Sequence, residues 1–197
     1  MANKLWDKGF KEDERIDAFT VGNDRELDHE LAPYDIMGTM AHITMLESVG
    51  LLSKEDLDKL LPVLKELYSS ACKGELYVEE DVEDIHSQIE LMLTRRLGDV
   101  GKKVHTGRSR NDQVLVDLKL YARAEIENTV HKVESLFNTL QEASERYKDV
   151  LIPGYTHLQV AMPSSFGLWF GAYAESLCDD LSIMKAAWDV VNLNPLG

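Results

Sequence analysis

The stretch VHTGRSRNDQV, residues 104–114, sets Arg108 and Arg110 around Ser109, directly after Gly107, and follows them with Asn111, Asp112 and Gln113. A long helical pattern begins at the same point. Backbone N–H groups and the positive end of a helix dipole attract anions there. A guanidinium grips a carboxylate through two parallel hydrogen bonds, and Ser109 and Asn111 add directional donors. The same residues also read as an ordinary cap, with Asp112 serving the helix start and the arginines answering an acidic surface. Both readings stand at this level. A second polar segment, PGYTHLQ at 153–159, places Thr156 and His157 between two helical stretches. A histidine there can pass a proton or orient another base near neutral pH. His86, behind Asp84 in VEDIHSQ, is a third candidate. For each histidine the plain alternative is a structural side chain, and His29, His42 and His131 have no polar company that lifts them above it. No His/Cys spacing suggests a metal site, no glycine-rich phosphate loop is present, and the nucleophile elbow of a Ser-His-Asp hydrolase is missing.

These segments must be positioned by helices. Residues 1–30 are polar and weakly periodic, an irregular approach to a first helix that begins near Pro33 and stops at Gly50. SKEDLDKLLPVLKELYSSACKG opens with Ser53 and Asp56 spaced as a capping box and ends at Gly74; Pro62 predicts a kink or break at Leu61. VEDIHSQIELMLTRRLG gives a third helix, with Ile85, Ile89, Met92 and Leu93 on one face. The acids of EEDVED before it read as a solvated helix start. Between Gly107 and Pro153 there is neither Gly nor Pro. Val114, Leu118, Ala122, Ile126, Val130, Val133, Phe137 and Leu140 recur there at helical spacing, predicting a rod over 112–148 about 55 Å long. A further helix carries the stripe Phe166, Phe170, Tyr173, Leu177, Leu181, Met184, Trp188 and Val191. The only strand candidate is the short ELYVEE. The expected fold is all-α: a small helical N-terminal domain over 1–110, then over 111–197 the first long helices of a bundle, too few to close a core alone. Other subunits or further chain would have to fill the gap, so an oligomer is expected.

Composition narrows the function. A formal net charge of −14 over 197 residues argues against nucleic acid or an anionic membrane as partner, which would select a basic face. It leaves room for a small anionic substrate held by a few local donors. The N-terminus lacks the apolar core of a signal peptide and no run approaches a membrane span, so a soluble, cytoplasmic protein is expected. Cys72 and Cys178, far apart in sequence, read as free thiols, with a disulfide between them as the alternative.

HTGRSRNDQ followed by GYTHLQ resembles the argininosuccinate lyase family of the fumarase/aspartase superfamily, and the resemblance runs from KLWDKGF through EDIHSQIE to NPLG. It implies cleavage of argininosuccinate to arginine and fumarate without a cofactor, in a cytoplasmic homotetramer of arginine biosynthesis whose active sites each draw on three subunits. It also implies site roles. Ser109, Arg110 and Asn111 fall on the first substrate-binding segment, with Asn111 the ligand of the succinyl group. Thr156 and His157 fall on the second, His157 in proton transfer and Thr156 against the substrate; Gln159 supports that segment, and His86 matches a further active-site histidine. Removing a proton beside a carboxylate builds a doubly negative aci-carboxylate, which donors such as Asn111 and Thr156 can stabilise by about 3–4 kcal/mol each.

Two departures accompany the resemblance. The family's catalytic serine loop has no counterpart here, so the chain is expected to be an N-terminal fragment, inactive alone. The family's N-terminal substrate-binding serine is also missing from FTVGNDRELD, where Thr20, Asn23 and Asp24 are the alternatives. A crystallin-like, non-enzymatic oligomer and a sibling lyase acting on adenylosuccinate, aspartate or malate are the competing readings. The complete HTGRSRNDQ string and the retention of both polar segments weigh against them.

Overall fold

The computed structural model describes residues 14–195 and falls into two units, residues 1–121 with 194–197 and residues 122–193. KLWDKGF, and Leu196 and Gly197 of NPLG, lie outside the described residues. The helices are α1 (Glu14–Val21), α2 (Asp24–Leu27), α3 (Ala32–Ser48), α4 (Lys54–Cys72), α5 (Ile85–Leu97), α6 (Asp99–Lys102), α7 (Arg110–Arg146) and α8 (Phe166–Val191). Two 3-10 turns, Asp28–Glu30 and Lys103–His105, and two strands, β1 (Leu151–Thr156) and β2 (Gln159–Ser165), complete the order. The all-α expectation holds. The strand candidate does not: ELYVEE is irregular, and the sheet forms instead from the segment that interrupts the long helices.

In the first unit α3, α4 and α5 bury one apolar core. Ile36, Ile43 and Leu46 come from α3, Leu57, Leu60, Leu64 and Leu67 from α4, and Ile85, Ile89 and Leu93 from α5. Their i, i+3, i+4 spacing lays each set along one helix face, which is why the sequence pattern was readable. Pro62 does not end α4 at Leu61; the helix continues to Cys72. Pro62 is exposed, so the carbonyl that loses its N–H partner can turn to water. At the start of α4, Ser53 accepts the Asp56 N–H at 3.1 Å, but the Asp56 carboxylate pairs with Lys103 Nζ at 2.6 Å rather than closing the reciprocal half of the box. The residues before α3 are more ordered than expected, forming α1, α2 and a 3-10 turn.

In the second unit the apolar stripes of α7 and α8 are only half covered: Ile126, Val130, Val133, Phe137 and Leu140 are intermediate in exposure. Arg123 stacks over the Trp188 ring at 5.2 Å, and Tyr147 meets Phe170 at 6.3 Å between ring centres. Leu168, Trp169, Tyr173, Ile183 and Val190 remain exposed. Both cysteines are free. Among the described residues no helix is long and apolar enough to cross a membrane.

Candidate active site

The GRSRND segment forms the cap and the arginine contacts to nearby acids that one of its two readings expects. Gly107 turns the chain at φ +68°, a left-handed backbone that glycine adopts without strain, and sets up the first turn of α7. Ser109 and Asp112 then cap each other's backbone: the Ser109 N–H donates to Asp112 Oδ2 at 3.0 Å and the Asp112 N–H to Ser109 Oγ at 3.3 Å. The flanking arginines turn to opposite tasks. Arg108 donates to Thr39 Oγ1 on α3 at 3.1 Å. Arg110 bridges to Asp84 at 2.7 Å, Glu83 at 3.3 Å and Ser87 Oγ at 3.0 Å. The acids of EEDVED are therefore not merely solvated. Asp84 also caps α5 by accepting the Ser87 N–H at 2.8 Å, and Glu79 pairs with Arg95. With the cap and the arginines engaged, Asn111 stands exposed in the first turn of α7.

His86, Ser87, Glu90, His105, Arg108 and Arg110 line a cavity of about 140 Å³ together with Thr39 and Gln113. That is room for a few waters or one carboxylate, not for a whole metabolite. Beneath it lies a network that the sequence reading missed. His86 Nδ1 hydrogen-bonds Asp35 Oδ2 and stands 3.6 Å from Asp117 Oδ2; Gln113 Nε2 donates to the same Asp35 oxygen. Asp35 and Asp117 are both fully buried. The available signal was a lone acid inside an apolar run, in PYDIMG and VLVDLKL.

Burial alone would lower the His86 pKa, but the Asp35 hydrogen bond and charge, with Asp84 and Asp28 behind them, outweigh it and raise it. His105 moves the opposite way, through burial and the nearby Arg108 and Arg110, and stays neutral more readily. His42, unremarkable by sequence, bonds the Thr106 carbonyl through Nε2 at 2.8 Å. Asp35, His86 and Asp117 each bring an atom of metal-ligand type within 4.8 Å of one another. The direct His86–Asp35 hydrogen bond, however, occupies the space that a cation bridging the two would need, so His86 and Asp35 read as a hydrogen-bonded pair with Asp117 beside them.

Thr156 and His157 belong to the second unit, in a β-hairpin rather than a loose break. β1 and β2 run antiparallel with Leu151 opposite Ser165 and Thr156 opposite Gln159, leaving His157 and Leu158 as a two-residue turn. Their φ values, +47° and +63°, belong to the type I′ turn that matches the twist of a hairpin. Asn-Gly is the usual pair there; histidine tolerates the conformation, whereas a leucine rarely adopts it. The turn thus holds strain while presenting His157, Thr156 and Gln159 exposed. Gly154 permits the close strand approach, since a Cβ there would lie 2.6 Å from the Met162 carbonyl oxygen. Leu158→Gly is expected to raise stability by about 1 kcal/mol by relieving the left-handed leucine, measured as an increase in the urea midpoint. An unchanged or lower midpoint would show that the turn holds no such strain.

The chain matches a family described as lyase over residues 8–197. It belongs to this lyase family. Argininosuccinate lyase of Parabacteroides distasonis is 64% identical over all 197 residues, which are 44% of that protein's length. Argininosuccinate lyase of Thermotoga neapolitana is 39% identical over the same residues, 50% of its length. This lyase chain therefore spans about half the length of the curated relatives it matches. Among solved structures, an EDDS lyase variant with bound fumarate superposes with a TM-score of 0.73 at 26% identity, covering 96% of this chain and 37% of that one. A fumarate lyase:delta crystallin from Brucella melitensis superposes at 0.71 with 14% identity over 92% of this chain and 46% of that one, a likeness of fold alone.

Proposed function

We propose that the protein carrying this chain cleaves argininosuccinate to arginine and fumarate by β-elimination. The observation that carries this reading is the 64% identity to argininosuccinate lyases over every residue of the chain, both polar segments included. The fumarate bound to the EDDS lyase variant supports the same class of dicarboxylate chemistry. In this reading a base takes the proton from the carbon beside a succinyl carboxylate, the C–N bond breaks, and the electron pair leaves with the guanidinium nitrogen of arginine. Asn111, free of cap duties at the start of α7, donates to the succinyl carboxylate, and Ser109 and Arg110 shape its surroundings. Thr156 binds the substrate from the hairpin, His157 handles the proton, Gln159 holds the turn, and His86 donates from the cavity wall. No cofactor is required.

The exposed Leu168, Trp169, Tyr173, Ile183 and Val190 support burial against further copies, and we infer a cytoplasmic homotetramer in which different copies supply the two polar segments to each site. Fumarate absorbs in the ultraviolet and the substrate does not, so the test is direct. Argininosuccinate is expected to give a steady rise in absorbance, and adenylosuccinate, aspartate and malate none. Fumarate identified by chromatography from one of those three and not from argininosuccinate would reassign the substrate; light scattering of the protein reads the subunit count.

A further inference from the structure

We propose that Asp35 and Asp117 are a buried carboxyl pair sharing one proton, held by Asp117, and that the single charge left on Asp35 makes them positioning residues that fix His86 as a cationic donor in the cavity wall. Asp35 Oδ2 receives two hydrogen bonds, from His86 Nδ1 and Gln113 Nε2. Both oxygens of Asp117, and Oδ1 of Asp35, are buried with no donor as long as both groups are carboxylates. Two buried charges in that state would repel each other while Asp117 had no hydrogen bond to hold its charge, a costly arrangement in a region of low dielectric. A single proton removes the conflict. The group with donors keeps its charge, and the group without them becomes a neutral acid that can itself donate to Asp35.

The charged groups facing the cluster agree with that division. Asp28 approaches from its 3-10 turn and Asp84 from the N-cap of α5, and both favour a cationic His86. Arg108, ahead of α7, is the cation that partly offsets the repulsion on Asp117. Nδ1 of His86 is committed to Asp35, which leaves Nε2–H as the donor for whatever enters the cavity that His86 lines. That this ligand is a carboxylate rests on the lyase reading; the proton count does not.

The protein is prepared with aspartate labelled in its side-chain carboxyl, and wild type is compared with Asp117→Asn by infrared difference spectroscopy near neutral pH. The expected difference is the loss of one protonated-acid C=O band. Nitrogen NMR of the His86 ring, identified by its disappearance in His86→Gln, is expected to show both nitrogens protonated in wild type and in Asp117→Asn. In Asp35→Asn the proton affinity of His86 should drop about ten-fold or more. If Asp35→Asn does not fold, the wild-type and Asp117→Asn spectra decide alone. Loss of a carboxylate band instead of an acid band, a neutral His86 in Asp117→Asn, or one equivalent of divalent metal in the purified protein would each overturn the proposal. A protein that releases no fumarate from any succinate-bearing substrate would remove the lyase reading and leave the infrared result to stand on its own.

Discussion

His157→Asn is expected to lower kcat for fumarate release by about 10²–10⁴-fold, the range for losing a positioned proton-transfer group. Asparagine suits this test because it tolerates the left-handed backbone that His157 adopts at φ +47°, so the turn is preserved while the imidazole ring is removed. The kinetic pattern is as informative as the size. A group acting in the transition state should lower kcat and kcat/KM together, with KM for argininosuccinate nearly constant. Asn111→Leu is the companion. It removes a donor from the exposed first turn of α7 and leaves the Ser109–Asp112 cap untouched, so the helix start should persist. Loss of one well-placed donor corresponds to about 10²–10³-fold in rate. Steady-state kinetics with unchanged kcat in both variants would mean that the two polar segments do not meet around the substrate.

Asp117→Asn is expected to stabilise the protein, although it alters a fully buried side chain. Burial, together with the charge of Asp35 and a hydrogen bond to it, pushes the Asp117 carboxyl up to about 9, with Arg108 pulling in the other direction. Below the ordinary aspartate range both the folded and the unfolded chain hold this proton, and the site carries no penalty. As pH rises above it, the unfolded chain releases the proton while the fold retains it, and each pH unit costs the fold up to about 1.4 kcal/mol. The stability is therefore fully present in acid and is lost progressively until the pH passes the folded-state value near 9. Asparagine has the shape of the neutral acid and no proton to release. The variant should match wild type in acid and exceed it by about 2–4 kcal/mol near neutral pH, read from urea unfolding at several pH values. Parallel stability curves across that range would mean that Asp117 is ionised in the fold.

The three variants address different depths of the same protein. His157 and Asn111 are exposed groups whose removal should leave stability nearly untouched and activity greatly reduced. Asp117 is a buried group whose replacement changes stability with a sign opposite to that of most core substitutions. Finding both effects would separate exposed groups that act on the reaction from a buried group that acts on the fold.

Much of the fold was legible in the chain itself. The helical spacing of Ile85, Ile89, Met92 and Leu93 marked one face of α5, whereas Pro62 hid the continuity of α4. The absence of Gly and Pro between Gly107 and Pro153 allowed one continuous helix, because nothing local stops it. GRSRND and GYTHLQ were legible as polar segments with chemistry, since their residue types leave little to pack. The hairpin was not. Its strands carry two prolines and a glycine, and they pair through backbone hydrogen bonds between β1 and β2 that no side-chain periodicity announces. Nor could the sequence separate Arg108 from Arg110, or say that Ser109 and Asp112 cap each other while Asn111 stays exposed. Asp35, His86, Gln113 and Asp117 are 51 or more residues apart along the bonds that join Asp35 to His86 and Gln113. Only the packing of α3, α5 and α7 brings them together, and their protonation depends on burial and mutual distance, which are properties of the folded chain and not of any segment of it.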